Sequence, residues 1–180
     1  MRSFPIYCLA NVLSESIAYI SPQLERSAYT VFTLFELIYF SYFLTRLIHS
    51  KKTRRLTLIF NITFLIMLLF HEVRLNIIPG FAPLIILECI ILLIPCIVYI
   101  KETFSTASII KLWKEASFWM VIGISYYFTV LILILLFTLY FASLNMISMA
   151  KAIYSANNYV QFISYTLYII AIICSRKKSY

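Results

Sequence analysis

Six stretches of this chain are apolar, close in length to a membrane-crossing helix and separated by short polar turns, and that pattern leaves few folds open to it. A bilayer's hydrocarbon core is roughly 30 Å thick, which a helix of about 20 residues crosses. The stretches run Ser3 to Ile20, Ala28 to His49, Arg55 to Phe70, Phe81 to Ile100, Phe118 to Ala142 and Asn157 to Ser175, the first and third being short. Transmembrane strands alternate in polarity and last about ten residues; runs such as Val130 to Leu136 do neither. The expected fold class is therefore all-α, a polytopic transmembrane helical bundle of about six helices forming one domain over residues 1–180. With 63% hydrophobic and 12% charged residues, there is too little polar surface to cover a water-soluble globule, and lipid is the expected solvent.

The net charge of +8 would suit a nucleic-acid binder, so the placement of the charges matters more than their sum. On a six-helix zigzag, Arg2, Arg46, Lys51, Lys52, Arg54, Arg55, Lys101, Lys111, Lys114, Arg176, Lys177 and Lys178 fall on one side. Arg26, Arg74 and Lys151 fall on the other. Positive charge in short loops marks the cytoplasmic face, so both termini, the Lys51 to Arg55 turn and the Lys101 to Ser117 loop are expected in the cytoplasm. Ser16 and Ala18 would suit a signal-peptide cut. Asn11, Ser14 and Glu15 interrupt the apolar stretch such a peptide needs, and the first helix is expected to be retained.

Pro22 opens the first external turn, Pro79 and Gly80 turn the chain back, and Pro83 suits the first turn of the fourth helix. Pro95 lies inside that helix and is expected to kink it. Phe104, Ile109, Ile110 and Trp113 give the 101–117 loop enough apolar surface to lie along the interface, with Trp113 and Trp119 as anchors. The cysteines, Cys8, Cys89, Cys96 and Cys174, lie inside apolar segments without metal spacing and read as packing residues.

Three glutamates fall within the apolar segments, where a central carboxylate costs about 2.5 to 3.5 kcal/mol on insertion scales. At 1.5 Å per residue, Glu15 lies about 8 Å from the external end of its helix, Glu36 about 12 Å and Glu88 about 10 Å. One layer in the outer half is expected to hold all three. Asn11, Ser14 and Ala18 give Glu15 a small polar face suited to close packing. Tyr29 and Thr33 flank Glu36; Gln161, Ser164 and Tyr165 lie near the same depth, with His71 and Arg74 just above. The candidate intramembrane polar or ion site is thus Glu15, Glu36, Glu88, Asn11 and Gln161. Three uses stay open: protonated glutamates donating interhelical hydrogen bonds, a proton- or cation-responsive site, or separate unrelated roles for the three carboxyls.

No catalytic constellation is present. His71 and Glu72 begin like a zincin motif, but no second histidine follows four residues later, and His49 belongs to the opposite side. No metal site, cofactor or enzymatic activity is expected. Lys51, Lys52, Arg54, Arg55, Arg176, Lys177 and Lys178 form the possible cytoplasmic contact, each charge contributing about 1 kcal/mol at an anionic membrane surface. Fixing topology alone is the preferred account of them, and direct nucleic-acid binding is not expected.

The stretch from Glu88 through Tyr99 and Lys101 to Phe118, Trp119, Val121, Ile122, Gly123 and Tyr127 resembles a group of small multi-pass bacterial membrane proteins of unknown function. The placement of Glu15 and Glu36 is similar to that group. In size and number of spans the chain also resembles the membrane accessory proteins of type VI-B, RNA-targeting CRISPR loci. That resemblance implies an antiphage accessory of the bacterial inner membrane that modulates the effector nuclease or acts at the membrane, and it assigns no residue a role.

Three functions are therefore carried forward. The first is a non-enzymatic accessory or regulatory membrane protein, in contact with lipid and with a cytoplasmic protein partner or further copies of itself. The second is a cation or proton channel or transporter subunit using Glu15, Glu36 and Glu88. The third is a sensor of a lipophilic ligand, suggested by Tyr39, Phe40, Tyr42, Tyr126, Tyr127 and Phe128.

Overall fold

In the computed structural model, residues 4–21, 23–74, 82–106 and 112–177 are described. Among them the chain is helical: α1 (Phe4–Ile20), α2 (Glu25–Leu47), α3 (Lys51–Arg74), α4 (Ala82–Thr106), α5 (Ala116–Ser143), α6 (Ile147–Ser155) and α7 (Asn157–Lys177). Three helical stretches of the described chain are long and apolar enough to cross a membrane: Ser27–Leu47, Ala116–Ser143, and Ile147–Ser175, the last joining α6 to α7. Two compact units divide the chain, Met1–Phe43 and Leu44–Tyr180, with the boundary inside α2.

In the first unit, α1 and the first part of α2 form an antiparallel hairpin. Phe4, Tyr7 and Ser14 are buried on α1 and Asn11 is half-buried, a spacing that keeps one face of the helix inward. Aromatic rings fill the seam: Tyr7 lies 4.9 Å from Phe40, 5.4 Å from Tyr39 and 5.9 Å from Phe32 between ring centroids.

In the second unit α5 is central and packs against α4, α6 and α7, while α3 packs against α4. Val121, Ile124, Phe128, Leu131 and Leu135 are buried on α5, and Val160, Ser164, Tyr168 and Ala171 on α7. Both sets recur at three- and four-residue spacing, as two facing helix stripes require. Gly123 lets the two helices close: a Cβ there would lie 2.6 Å from Cε1 of Tyr168 and 3.2 Å from Cβ of Leu167. Beyond Ser143 the chain turns through Asn145 at φ 59°, a left-handed conformation asparagine tolerates. The Met146 N–H donates to the Phe141 carbonyl and the Asn145 N–H to the Ala142 carbonyl, the paired bonds of a Schellman ending.

Several helices run past the bounds expected from apolarity, because a helix continues wherever its end groups are satisfied, whether or not lipid surrounds it. The expected Lys51 to Arg55 turn is the first turn of α3. Ser50 caps it, its Oγ accepting the Thr53 N–H at 3.4 Å and its carbonyl the Arg54 N–H at 2.9 Å. The expected 101–117 loop is shorter than its apolar content implied: α4 continues to Thr106 and α5 begins at Ala116. Phe104 is therefore a helical residue that meets Phe118 edge-on, while Ile109, Ile110 and Lys111 lie outside the described residues. α6 was not expected. α4 continues through Pro95, which is fully buried, and Pro83 sits in its first turn. Pro22, Pro79 and Gly80 lie outside the described residues.

Candidate functional site

The glutamates of the first unit are held by tyrosines of the facing helix. Tyr7 of α1 donates its hydroxyl to Oε1 of Glu36 on α2 at 2.7 Å, and Tyr29 of α2 donates to Oε2 of Glu15 on α1 at 3.0 Å. The hairpin thus carries two reciprocal acid–tyrosine pairs, one buried and one exposed. They are separated by about two helical turns, roughly 10 Å. Glu15 and Glu36 accordingly do not share the expected layer. α2 begins at Glu25 rather than Ala28, which sets Glu36 roughly 16 Å along its helix while Glu15 stays about 8 Å from the end of α1. Asn11, the residue expected beside Glu15, lends its carbonyl to the Ser14 hydroxyl at 2.8 Å.

Glu88 and Gln161 belong to the second unit, on α4 and α7. Glu88 is 3% exposed and Gln161 is half-buried. A polar residue that sequence reasoning passed over lies on the neighbouring helix. Asn61, 5% exposed, shares the buried face of α3 with Thr57 and Phe64, and neither polar atom of its side chain has a hydrogen-bond partner among the described residues. Its signal was an amide between Phe60 and Ile62, where an apolar residue was expected. The side chains of His71, Glu72 and Arg74 lie outside the described residues.

A second polar constellation forms where the end of α2 and the start of α3 meet the end of α4 and the start of α5. The Glu102 carboxylate accepts the His49 N–H at 2.8 Å and the Ser50 N–H at 3.4 Å, and lies 3.7 Å from Nδ1 of His49. It therefore satisfies amides at the opening of α3 and places negative charge where the helix dipole favours it. Next to it is a cleft of about 560 Å³ walled by Arg46, His49, Arg54 and Glu115. Tyr99, Thr103 and Ser117 also line it. Thr103 donates to the Tyr99 carbonyl at 2.7 Å, and the Tyr99 hydroxyl donates to Oγ of Ser117 at 3.1 Å. Glu102 and Glu115 were not singled out from the sequence, because the cleft exists only once four helix ends are brought together.

This end of the second unit is also where the basic residues collect. Lys51, Lys52, Arg54 and Arg55 are exposed on the opening of α3, and Arg46, Lys101 and Lys114 are exposed nearby in the chain. The far end of α7 reaches the same place: Sγ of Cys174 lies 3.9 Å from the Trp113 carbonyl, which also accepts the Trp119 indole N–H at 2.9 Å. The side chains of Arg176 and Lys177 lie outside the described set, and Lys178 lies outside the described residues.

No protein-family model matches the chain, and neither a curated protein nor a solved structure matches it.

Proposed function

We propose that the chain is a six-span protein of the bacterial inner membrane, with both termini cytoplasmic, that acts without catalysis as an accessory or regulatory component bound to a cytoplasmic protein. The observation that carries this reading is the gathering of Lys51, Lys52, Arg54, Arg55, Lys101 and Lys114 at the helix ends of one unit. Such a face is suited to positive-inside orientation and to a partner with an acidic surface. The antiphage setting, with a type VI-B effector nuclease as the partner, comes from the resemblance in size and spans.

Co-purification after mild detergent extraction tests the proposal. Charge reversal at Lys51, Lys52 and Arg55 together is expected to strip the cytoplasmic partner while the variant elutes and melts as the unchanged protein does. A partner retained by the folded triple variant would refute this surface.

One observation favours a second reading, a proton or cation pathway: Glu36 and Glu88 are both buried, at 7% and 3% exposure. Liposome flux separates the two. Flux lost on Glu36→Gln or Glu88→Gln makes the chain a conduction protein, and liposomes without flux leave the accessory reading.

A further inference from the structure

Asn61 of α3 and Pro95 of α4 leave complementary polar groups unmet at one depth of the second unit. Proline has no N–H, so the Ile91 carbonyl, one turn earlier in α4, loses the donor that a continuous helix would give it. Asn61 is 5% exposed, and neither its Nδ2 nor its Oδ1 has a hydrogen-bond partner among the described residues. Buried polar groups are satisfied by protein or by ordered water.

The contact between Glu102 and the opening of α3 sets the register that brings the two together. The Glu102 carboxylate accepts the Ser50 N–H at 3.4 Å, so α3 starts beside the end of α4, and the two packed helices run antiparallel. Thr57, Asn61 and Phe64 follow Ser50 by 7, 11 and 14 residues, and Pro95, Ile91 and Glu88 precede Glu102 by the same intervals. Those spacings return to one face of a helix, and all six residues are buried. Asn61 is therefore level with Ile91, about 16 Å from the Ser50–Glu102 contact, and Thr57 is level with Pro95.

We propose that an internal water is bound between α3 and α4 at this depth, accepting the Asn61 Nδ2–H and donating to the Ile91 carbonyl. The Thr57 hydroxyl beside Pro95 offers a third partner, within the two to four that such a water takes. Ile59 and Ile62 of α3 and Ile90 and Ile94 of α4 are exposed apolar side chains, so the amide and the carbonyl are turned from the apolar surface toward one another. A helix interrupted by proline is tolerated in lipid where a neighbouring helix or ordered water satisfies the freed group. The water site stands whether the chain binds a cytoplasmic partner or conducts.

The test uses the full chain in nanodiscs. Brief X-ray radiolysis in heavy-oxygen water turns a bound water into a hydroxyl radical that labels the side chains touching it, and mass spectrometry reads the label residue by residue. Phe64, whose side chain leans back along α3 toward Asn61, is expected to be labelled several-fold more than Phe128, which is buried on α5. Asn61→Leu should bring Phe64 down to the Phe128 level. Thermal unfolding reads the bridge itself. Asn61→Leu is expected to lower the Tm by about 2 to 4 °C, the loss of one buried partner for the Ile91 carbonyl. Beside Pro95→Ala, which gives that carbonyl an N–H of its own helix, Asn61→Leu should leave the Tm unchanged or raise it. Should Pro95→Ala fail to fold, Pro95→Val supplies the same N–H with a bulk closer to that of proline.

Phe64 labelled no more than Phe128 in the unchanged protein overturns the proposal, with no variant needed. Labelling that survives in folded Asn61→Leu assigns the oxygen to water outside the seam and overturns it as well. An equal Tm loss in both backgrounds separates Asn61 from the Ile91 carbonyl, and Tm coupling without labelling assigns a direct hydrogen bond between them; either result removes the water.

Discussion

Tyr7 and Glu36 meet at 2.7 Å in the buried part of the first hairpin, and Tyr29 and Glu15 meet at 3.0 Å where the hairpin is exposed. Interhelical hydrogen bonds within membranes contribute about 0.6 kcal/mol on average and up to about 1.7 kcal/mol. Tyr7→Phe is therefore expected to destabilise the detergent-solubilised protein by about 1 kcal/mol. Tyr29→Phe should have a smaller effect, and a double-mutant cycle of Tyr7→Phe with Glu36→Gln should show positive coupling. Thermal unfolding ranks them, and a larger loss from Tyr29→Phe would contradict the geometry. The need for partners was legible from carboxylates in apolar segments. The identity of the partners was within reach too: folding the hairpin back about Ser21 to Leu24 brings residue 7 within a turn of residue 36, and residue 15 within a turn of residue 29. What hid it was the start of α2, placed at Ala28 by apolarity and at Glu25 by the backbone.

At the scale of elements, α5 and α7 are joined where Gly123 faces Tyr168. Two effects oppose one another there. Alanine is favoured over glycine inside a helix by about 1 kcal/mol, but its methyl group would collide with the Tyr168 ring, and overpacking costs about 1 to 3 kcal/mol. Gly123→Ala is expected to lower stability by about 1 to 2 kcal/mol in the unchanged background and to be neutral or stabilising beside Tyr168→Ala. Thermal unfolding of the four proteins checks the change of sign; a loss of equal size in both backgrounds would mean that the ring is not what excludes the methyl group. Each of the six expected stretches lies largely within a helix, and three helical stretches are long and apolar enough to cross a membrane. Their ends were less legible because Lys51, Lys52, Arg54 and Thr103 are as good in a helix as in a loop once capping satisfies the backbone. α6 escaped because nine residues with Lys151 among them look like a turn, although Ile147, Ala150 and Tyr154 already recur at helical spacing.

For the molecule as a whole, the number of crossings decides where its ends lie. The three stretches long and apolar enough to span, taken alone, would leave the two ends on opposite sides of a bilayer. Six crossings return them to the same side. Reporters active only in the cytoplasm are expected to signal when joined either before Met1 or after Tyr180, and a tail reporter that signals while the head reporter stays silent would establish an odd count. The charge pattern anticipated the basic end of the second unit, because a loop's sign can be read without knowing its shape. The cleft was not legible, since Arg46, Tyr99 and Glu115 lie on three helices and nothing in their sequence spacing announces that they meet.

The seating of Gly123 against Tyr168 and Leu167 also bears on how the protein is made. A chain inserted from its beginning onward delivers α5 to the membrane well before α7, so the notch at Gly123 stands open until the later helix emerges from the ribosome. A nascent chain stalled before Asn157 would lack the residues that fill that seam, leaving the notch at Gly123 without Tyr168 and Leu167 to close it.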